Sequence, residues 1–154
     1  MVNPETVEAI LPLLSVTVVA VGACVGSFLN VCIWRLPRGE SIVHPPSHCP
    51  KCDHRIRSWE NIPLVSWLVL RGRCSSCGLP ISIRYPLVEG LTALLFGVVW
   101  WRILARGLPL STAPGYLFLT GALIAVTLID MEHYLIPDAI TRSGLVVAVL
   151  LAVV

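Results

Sequence analysis

The sequence predicts an all-α membrane protein, a transmembrane helix bundle with a small irregular loop domain between its first and second helices. Of its 154 residues, 56% are hydrophobic and only 13% are charged, which lies outside the range of ordinary soluble domains. The apolar residues are concentrated in blocks long enough to cross a bilayer. The segment between the first two blocks carries most of the charge, and it also holds four of the six cysteines.

The first block, residues 10 to about 33, is predicted to be a permanent membrane helix. At 1.5 Å per residue it reaches about 36 Å, enough to span with some tilt. No Lys or Arg precedes it, which argues against a cleaved signal peptide. Gly22, Gly26 and Asn30 recur every four residues and so share one face. Small residues let another helix approach there, and the Asn amide can hydrogen-bond across the contact.

The basic residues predict the orientation of the chain. Eight of its 11 Lys and Arg residues lie between the first and second apolar blocks. By the positive-inside rule that segment is cytoplasmic and the N-terminus is outside. The eight residues are Arg35, Arg38, Lys51, Arg55, Arg57, Arg71, Arg73 and Arg84.

Residues 35–86 are predicted to form an irregular domain held together by zinc. The pairs Cys49-x-x-Cys52 and Cys74-x-x-Cys77 are separated by 21 residues, close to the spacing of four-cysteine zinc sites. Gly78 suits the unusual backbone angle on which such a turn often ends. A site closed by four sulfurs is structural, and the ion supplies folding energy that this thin loop lacks. Disulfides or a redox dithiol are the alternatives, and a reducing cytoplasm disfavours disulfides.

Two further spans follow, from about residue 87 to 104 and from near residue 115. Trp100, Trp101 and Arg102 are expected to mark the outer interface. The third span then returns toward the loop side and ends near Pro137. A fourth apolar run, residues 144–154, is too short to span, so we expect a longer natural protein. The chain thus divides into residues 1–34 (helix 1), 35–86 (zinc loop) and 87–154 (helices 2, 3 and the start of 4).

Asp130 is the main catalytic candidate, because a carboxylate at membrane depth usually faces a cavity, a partner or a substrate path. Paired with a second carboxylate it could activate water while its partner donates a proton, as in aspartyl proteases. The sequence offers no second aspartate at membrane depth, and Asp138 is an uncertain substitute. His133 lies on the same helix face, but two ligands are too few for a specific metal site. A solvated helix end is the simpler alternative, and Glu89 is a further carboxylate that could face the site.

The chain resembles the bacterial type IV prepilin leader peptidases, membrane aspartyl proteases of the GxGD type. The resemblance extends in order and spacing over nearly everything from residue 26 to 138. It rests on the two Cys-x-x-Cys pairs and on these segments: 26–31 (GSFLNV), 35–37 (RLP), 59–68 (WENIPLVSWL), 84–89 (RYPLVE), 129–130 (ID) and 136–138 (IPD).

The resemblance implies a multi-pass enzyme of the bacterial inner membrane. Such an enzyme removes the leader of type IV prepilins and of type II secretion pseudopilins on the cytoplasmic side. Members with the cysteine loop also methylate the new N-terminal residue with S-adenosylmethionine. Carried over by position, Asp130 matches the first catalytic aspartate and Cys49, Cys52, Cys74 and Cys77 match the cysteine tetrad, whereas Asp138 does not match a catalytic position.

The second aspartate of this family lies in a later G-x-G-D segment, and none occurs before Val154. The chain therefore resembles the N-terminal portion, and we expect it to be inactive as a peptidase by itself. No methyl-donor residues are predicted, because no glycine-rich nucleotide loop follows a strand. The alternative function is a non-catalytic zinc-loop adaptor of a pilus or secretion system. For both the enzyme and the adaptor, a net charge of +2 is too small to indicate nucleic acid as a partner.

Overall fold

The computed structural model describes residues 4–153, and the side chains of residues 9–149. Five α-helices occupy most of this range, and the described residues contain no strand, only two isolated β-bridges. The predicted all-α fold is therefore confirmed. The helices are α1 (Pro4–Arg35), α2 (Val65–Val69), α3 (Arg84–Ala105), α4 (Ala113–His133) and α5 (Asp138–Val153).

Three helices, α1, α3 and α4, are long and apolar enough to cross a membrane. This number indicates a membrane protein and matches the three complete spans predicted. Helices α3 and α4 begin earlier than the predicted spans, at Arg84 and Ala113. Helix α4 ends at His133, before the predicted end near Pro137, because Tyr134 adopts a left-handed conformation. The last helix begins at Asp138, six residues before its apolar run, with that carboxylate in the first turn, where it interacts favourably with the helix dipole.

Helix α1 packs on α3 through the predicted face of small residues. A Cβ on Gly22 would lie 2.9 Å from Cα of Ala93, and one on Gly26 would lie 2.7 Å from Cα of Glu89. One turn further on, Nδ2 of Asn30 donates to the Tyr85 carbonyl oxygen at 3.2 Å. The prediction that this face admits a second helix and that Asn30 bonds across it is confirmed.

Substituting Gly26 by alanine is therefore expected to destabilise the bundle by about 1–3 kcal/mol, the usual range for overpacking. The added methyl group would meet backbone, namely Cα of Glu89 at 2.7 Å and the Val88 carbonyl at 3.0 Å, which cannot rotate away. The free energy of unfolding in a detergent titration measures this effect. Gly121→Ala is the matched control, because its nearest neighbour would be a Val25 methyl at an ordinary 3.7 Å. Equal stability of the two variants would contradict the close α1–α3 contact.

At the far end of the bundle, the expectation that Trp100 belongs to an interfacial belt is wrong. Trp100 is only 7% exposed and its indole N–H donates to Oγ of Ser15 in α1 at 2.9 Å. A buried indole needs such a partner, and Ser15 in the fourth turn of α1 supplies it. Trp101, its neighbour, is 61% exposed, and its place at the outer interface stays a prediction.

The third long helix, α4, joins this pair at the end nearest the loop. The shared core consists entirely of aliphatic side chains from the three helices, so it fixes where α4 ends relative to α1 and α3. Its buried members are Leu29, Ile33, Val88, Ile124, Ala125 and Ile129.

Candidate active site and metal centre

Asp130 lies in the last turn of α4, and its side chain is exposed. The preceding residue, Ile129, is completely buried in the three-helix core. Tyr134 caps the helix: its N–H donates to the Asp130 carbonyl at 2.9 Å, and its left-handed conformation (φ +53°) turns the following chain out of the helix. The core therefore fixes the backbone of Asp130, while its side chain makes no hydrogen bond or ion pair among the described residues.

An ion pair fastens this end of α4 to the start of α3. Nη1 of Arg84 lies 2.7 Å from Oε1 of Glu132, two residues beyond Asp130. Because Arg84 is the first residue of α3, where the loop joins the bundle, the prediction that the third span returns toward the loop side is confirmed. Sequence reasoning used Arg84 as one of the basic residues that predict the orientation, and it overlooked Glu132, since nothing local marks two residues 48 positions apart as partners.

The other candidates near Asp130 do not complete a site among the described residues. Nε2 of His133 is buried without a hydrogen-bond partner, 3.9 Å from Oε2 of Glu132. No third metal ligand joins Asp130 and His133 in the described part of the chain. Asp138 is exposed and pairs with Arg142 at 3.3 Å on α5.

Glu89 connects the loop to the bundle. It is 7% exposed in α3, and its Oε2 accepts the N–H of Leu64 at 2.7 Å. Leu64 has φ +62°, a conformation that costs a non-glycine residue free energy. The buried carboxylate offsets that cost, so Glu89 fastens the loop to α3.

The four cysteines of the loop converge on one point. Their sulfur atoms all lie within 4.8 Å of one another, and Sγ of Cys49 is 3.7 Å from Sγ of Cys77. A tetrahedral zinc ion with bonds of about 2.3 Å separates its sulfurs by about 3.8 Å. The donor set and its spacing therefore fit a metal ion of this kind, and all four cysteines are free of disulfides.

The two Cys-x-x-Cys turns have the same backbone construction. In the first, Asp53 N–H donates to the Cys49 carbonyl at 3.0 Å, and in the second Gly78 N–H donates to the Cys74 carbonyl at 3.0 Å. Asp53 and Gly78 both adopt positive φ, +52° and +71°. The expectation for Gly78 is confirmed, and Asp53 is its counterpart in the first turn.

The electrostatics of the cluster favour a bound cation. Backbone N–H groups of Lys51 and Cys52 lower the pKa of Cys49 to about 7. For Cys77, the N–H of Leu79 acts to lower the pKa, but desolvation and the neighbouring thiols outweigh it and raise the pKa to about 11. Four thiolates this close repel one another, and a divalent cation among them would remove that repulsion.

The family described as bacterial peptidase A24 N-terminal domain matches residues 20–103, which include the second half of α1, the whole loop and all but the last two residues of α3. The chain belongs to this family.

Proteins named prepilin leader peptidase/N-methyltransferase are similar to this A24 chain over most of its length. The one from Myxococcus xanthus is 47% identical over 141 residues, covering 92% of the chain and 41% of the relative. That from Stutzerimonas stutzeri is 44% identical over 142 residues (77% and 48%), and that from Pseudomonas aeruginosa is 43% identical over 145 residues (79% and 49%). The chain thus spans about half the length of the curated relatives it matches. No solved structure matches it significantly.

A carboxylate that sequence reasoning missed braces the cysteine loop of this A24 domain. The side chain of Glu60 is 4% exposed. Its Oε2 accepts the Arg57 N–H at 2.7 Å and lies 3.1 Å from Nε2 of His54, while its Oε1 accepts the Ser75 hydroxyl. His54 follows the first cysteine pair and Ser75 lies inside the second, so Glu60 joins the two turns. The only signal was its place in the segment WENIPL, which does not reveal its partners.

These contacts also set the charge of Glu60. The Ser75 hydroxyl, the Arg57 N–H and His54 together lower its pKa from 4.5 to about 2. A lowered carboxyl pKa means that the ionised group stabilises the fold above pH 4.5 and that this contribution is lost as the pH falls toward 2. At neutral pH, Glu60 is therefore ionised and joins the two cysteine turns through hydrogen bonds.

Replacing Glu60 by alanine is expected to increase the rate of loop proteolysis at neutral pH several-fold, because His54, Ser75 and the Arg57 N–H lose their shared acceptor. Limited proteolysis of the full-length protein measures the rate of cleavage within residues 47–82. Glu40→Ala is the control, since Glu40 is exposed and its side chain makes no hydrogen bond among the described residues. Equal proteolysis of both variants would show that Glu60 does not brace the loop.

Proposed function

We propose that the full-length protein is a membrane aspartyl endopeptidase that removes the leader of type IV prepilins and pseudopilins and methylates the new N-terminal residue. The observation that carries this proposal is the 47% identity to the M. xanthus prepilin leader peptidase/N-methyltransferase over 92% of the chain. An adaptor without catalysis finds no comparable support, since the relatives are named as enzymes.

In this proposal, Asp130 is one of two catalytic carboxylates. Its exposed side chain on a helix end fixed by the core is consistent with that role. The second carboxylate comes from a later segment of the longer protein, as the family resemblance implies. One carboxylate accepts a proton from the attacking water, and the other donates a proton to the reacting carbonyl or the leaving nitrogen.

The proposed topology brings the substrate to this end of the bundle. The eight basic residues of the segment before the second span favour a cytoplasmic cysteine loop, and we propose this orientation in a bacterial inner membrane. A prepilin anchored in the same bilayer then presents its leader beside the end of α4. The division into residues 1–34, 35–86 and 87–154 remains our proposal for the organisation of the chain.

The cysteine loop has a structural role in this account. Cys49, Cys52, Cys74 and Cys77 would hold Zn²⁺, which supplies cross-linking and folding free energy and no chemistry of its own. S-adenosylmethionine is the proposed methyl donor for the second activity.

The proposal is tested with the full-length protein in lipid vesicles and a purified prepilin. Mass spectrometry is expected to show loss of the leader, and a gain of one methyl group only when S-adenosylmethionine is added. An intact prepilin after prolonged incubation with folded protein would reject the peptidase, whereas cleavage without methylation would reject only the second activity.

A further inference from the structure

The loop contains an apolar surface that neither the zinc site nor Asp130 explains. Residues 62–70 (IPLVSWLVL) carry no charge. Ile62, Val65, Leu68 and Val69 are all exposed, Val69 by 68%. We propose that this surface, residues 62–70 around α2, lies in the bilayer interface and inserts its apolar side chains among the acyl chains. The inference does not depend on the peptidase.

The depth of α2 relative to the second span supports insertion. Leu64, which immediately precedes α2, is hydrogen-bonded to Glu89 at 2.7 Å, and its Cδ2 lies 3.8 Å from the position of a Cβ on Gly90. Glu89 lies five residues beyond Arg84, about 8 Å further along the axis of α3. In a membrane, a snorkelling Arg84 would put its guanidinium at headgroup level. We therefore place the start of α2 below that level, beside the membrane-spanning part of α3.

Helix α2 has an aliphatic face that could contact lipid and an opposite face that packs on the rest of the loop. Val65, Leu68 and Val69 are spaced i, i+3 and i+4, so they share one face of the helix. Trp67 points to the other side, where its indole N–H donates to the Ile81 carbonyl at 3.3 Å and its ring lies against Gly72. The indole N–H of Trp67 therefore finds its hydrogen-bond partner inside the loop. The side chains of α2 that remain exposed are aliphatic.

The charges that follow the surface favour lipid as its occupant. Arg71 and Arg73 come directly after it, and both are exposed without an ion pair among the described residues. An apolar helical face bordered by basic residues is typical of segments that lie on anionic membranes. Leu87 and Leu91, on the helix to which Glu89 binds the loop, are exposed as well.

The experiment is photolabelling of the full-length protein in vesicles of phosphatidylethanolamine and phosphatidylglycerol that contain a lipid with a diazirine in its acyl chain. Peptide mass spectrometry locates the labelled residues. We expect residues 62–70 to be labelled as strongly as residues 91–98 of α3, and several-fold more strongly than residues 50–57 of the first cysteine turn. A parallel sample is labelled with a water-soluble diazirine.

Two results would overturn the proposal. Labelling of residues 62–70 by the aqueous reagent alone would place them in water, and labelling by neither reagent would mean that a second copy or another part of the longer protein covers them. A charged variant adds a second test: Val69→Lys is expected to reduce acyl-chain labelling of the segment several-fold. Val43→Lys is the control, because Val43 is equally exposed at 68% but lies outside the surface. Equal labelling in both variants would also contradict insertion.

Discussion

Replacing Cys49 and Cys77 by serine in the full-length protein is expected to abolish bound zinc, from about one equivalent in the wild type, and to unfold the loop. Their sulfurs are 3.7 Å apart at the centre of the cluster. Of the described residues between 39 and 83, only Cys49 and Gly72 are buried, so the loop lacks an apolar core. Zinc-finger peptides obtain about 10–16 kcal/mol from their metal, more than such a loop can replace.

Metal analysis combined with limited proteolysis measures this effect. The variant is expected to contain no zinc and to be cut rapidly within residues 47–82, while α1, α3 and α4 remain intact. Cys24→Ser is the control, because Cys24 is an exposed cysteine of α1 outside the cluster. A wild-type protein with less than half an equivalent of zinc and four freely reacting thiols would refute the metal site.

Asp130→Asn in the full-length protein is expected to reduce the rate of leader cleavage by roughly 100- to 10,000-fold, the usual contribution of a general acid or base. Asparagine has nearly the same shape but can neither accept nor release the proton that the reaction transfers. Since Asp130 is exposed and Ile129 beside it carries the packing, the variant should fold normally. The measurement is the initial rate of prepilin cleavage in vesicles.

Asp138→Asn is the matched control for this substitution. Asp138 lies eight residues later, is also exposed, and has only Arg142 as its side-chain partner among the described residues. Its variant is expected to cleave at nearly the wild-type rate. Undiminished cleavage by Asp130→Asn, or an equal loss in both variants, would remove Asp130 from the catalytic pair.

Sequence reasoning reached the fold because its strongest signals are local. Apolar length alone predicts α1, α3 and α4, and the four-residue spacing of Gly22, Gly26 and Asn30 predicts the α1 face that packs on α3. The cysteine cluster could also be predicted from the sequence, because the spacing of the two pairs is typical of a known metal site.

The contacts that organise the site could not be predicted from the sequence. Arg84 and Glu132, or Leu64 and Glu89, are distant in sequence, and only the packing of α3 brings them together. Trp100 was misplaced for a related reason. A tryptophan near a helix end fits a lipid interface and a buried contact equally well until the position of Ser15 is known.

The central claim is that the substrate's scissile bond is cleaved beside Asp130, and photocrosslinking tests it most directly. A prepilin with a photoreactive residue at its cleavage position is irradiated with the full-length Asp130→Asn protein, in which it should remain uncut. We predict crosslinks to residues 124–138 at the end of α4. Crosslinks confined to the cysteine loop, residues 47–82, with none on α4, would contradict the account.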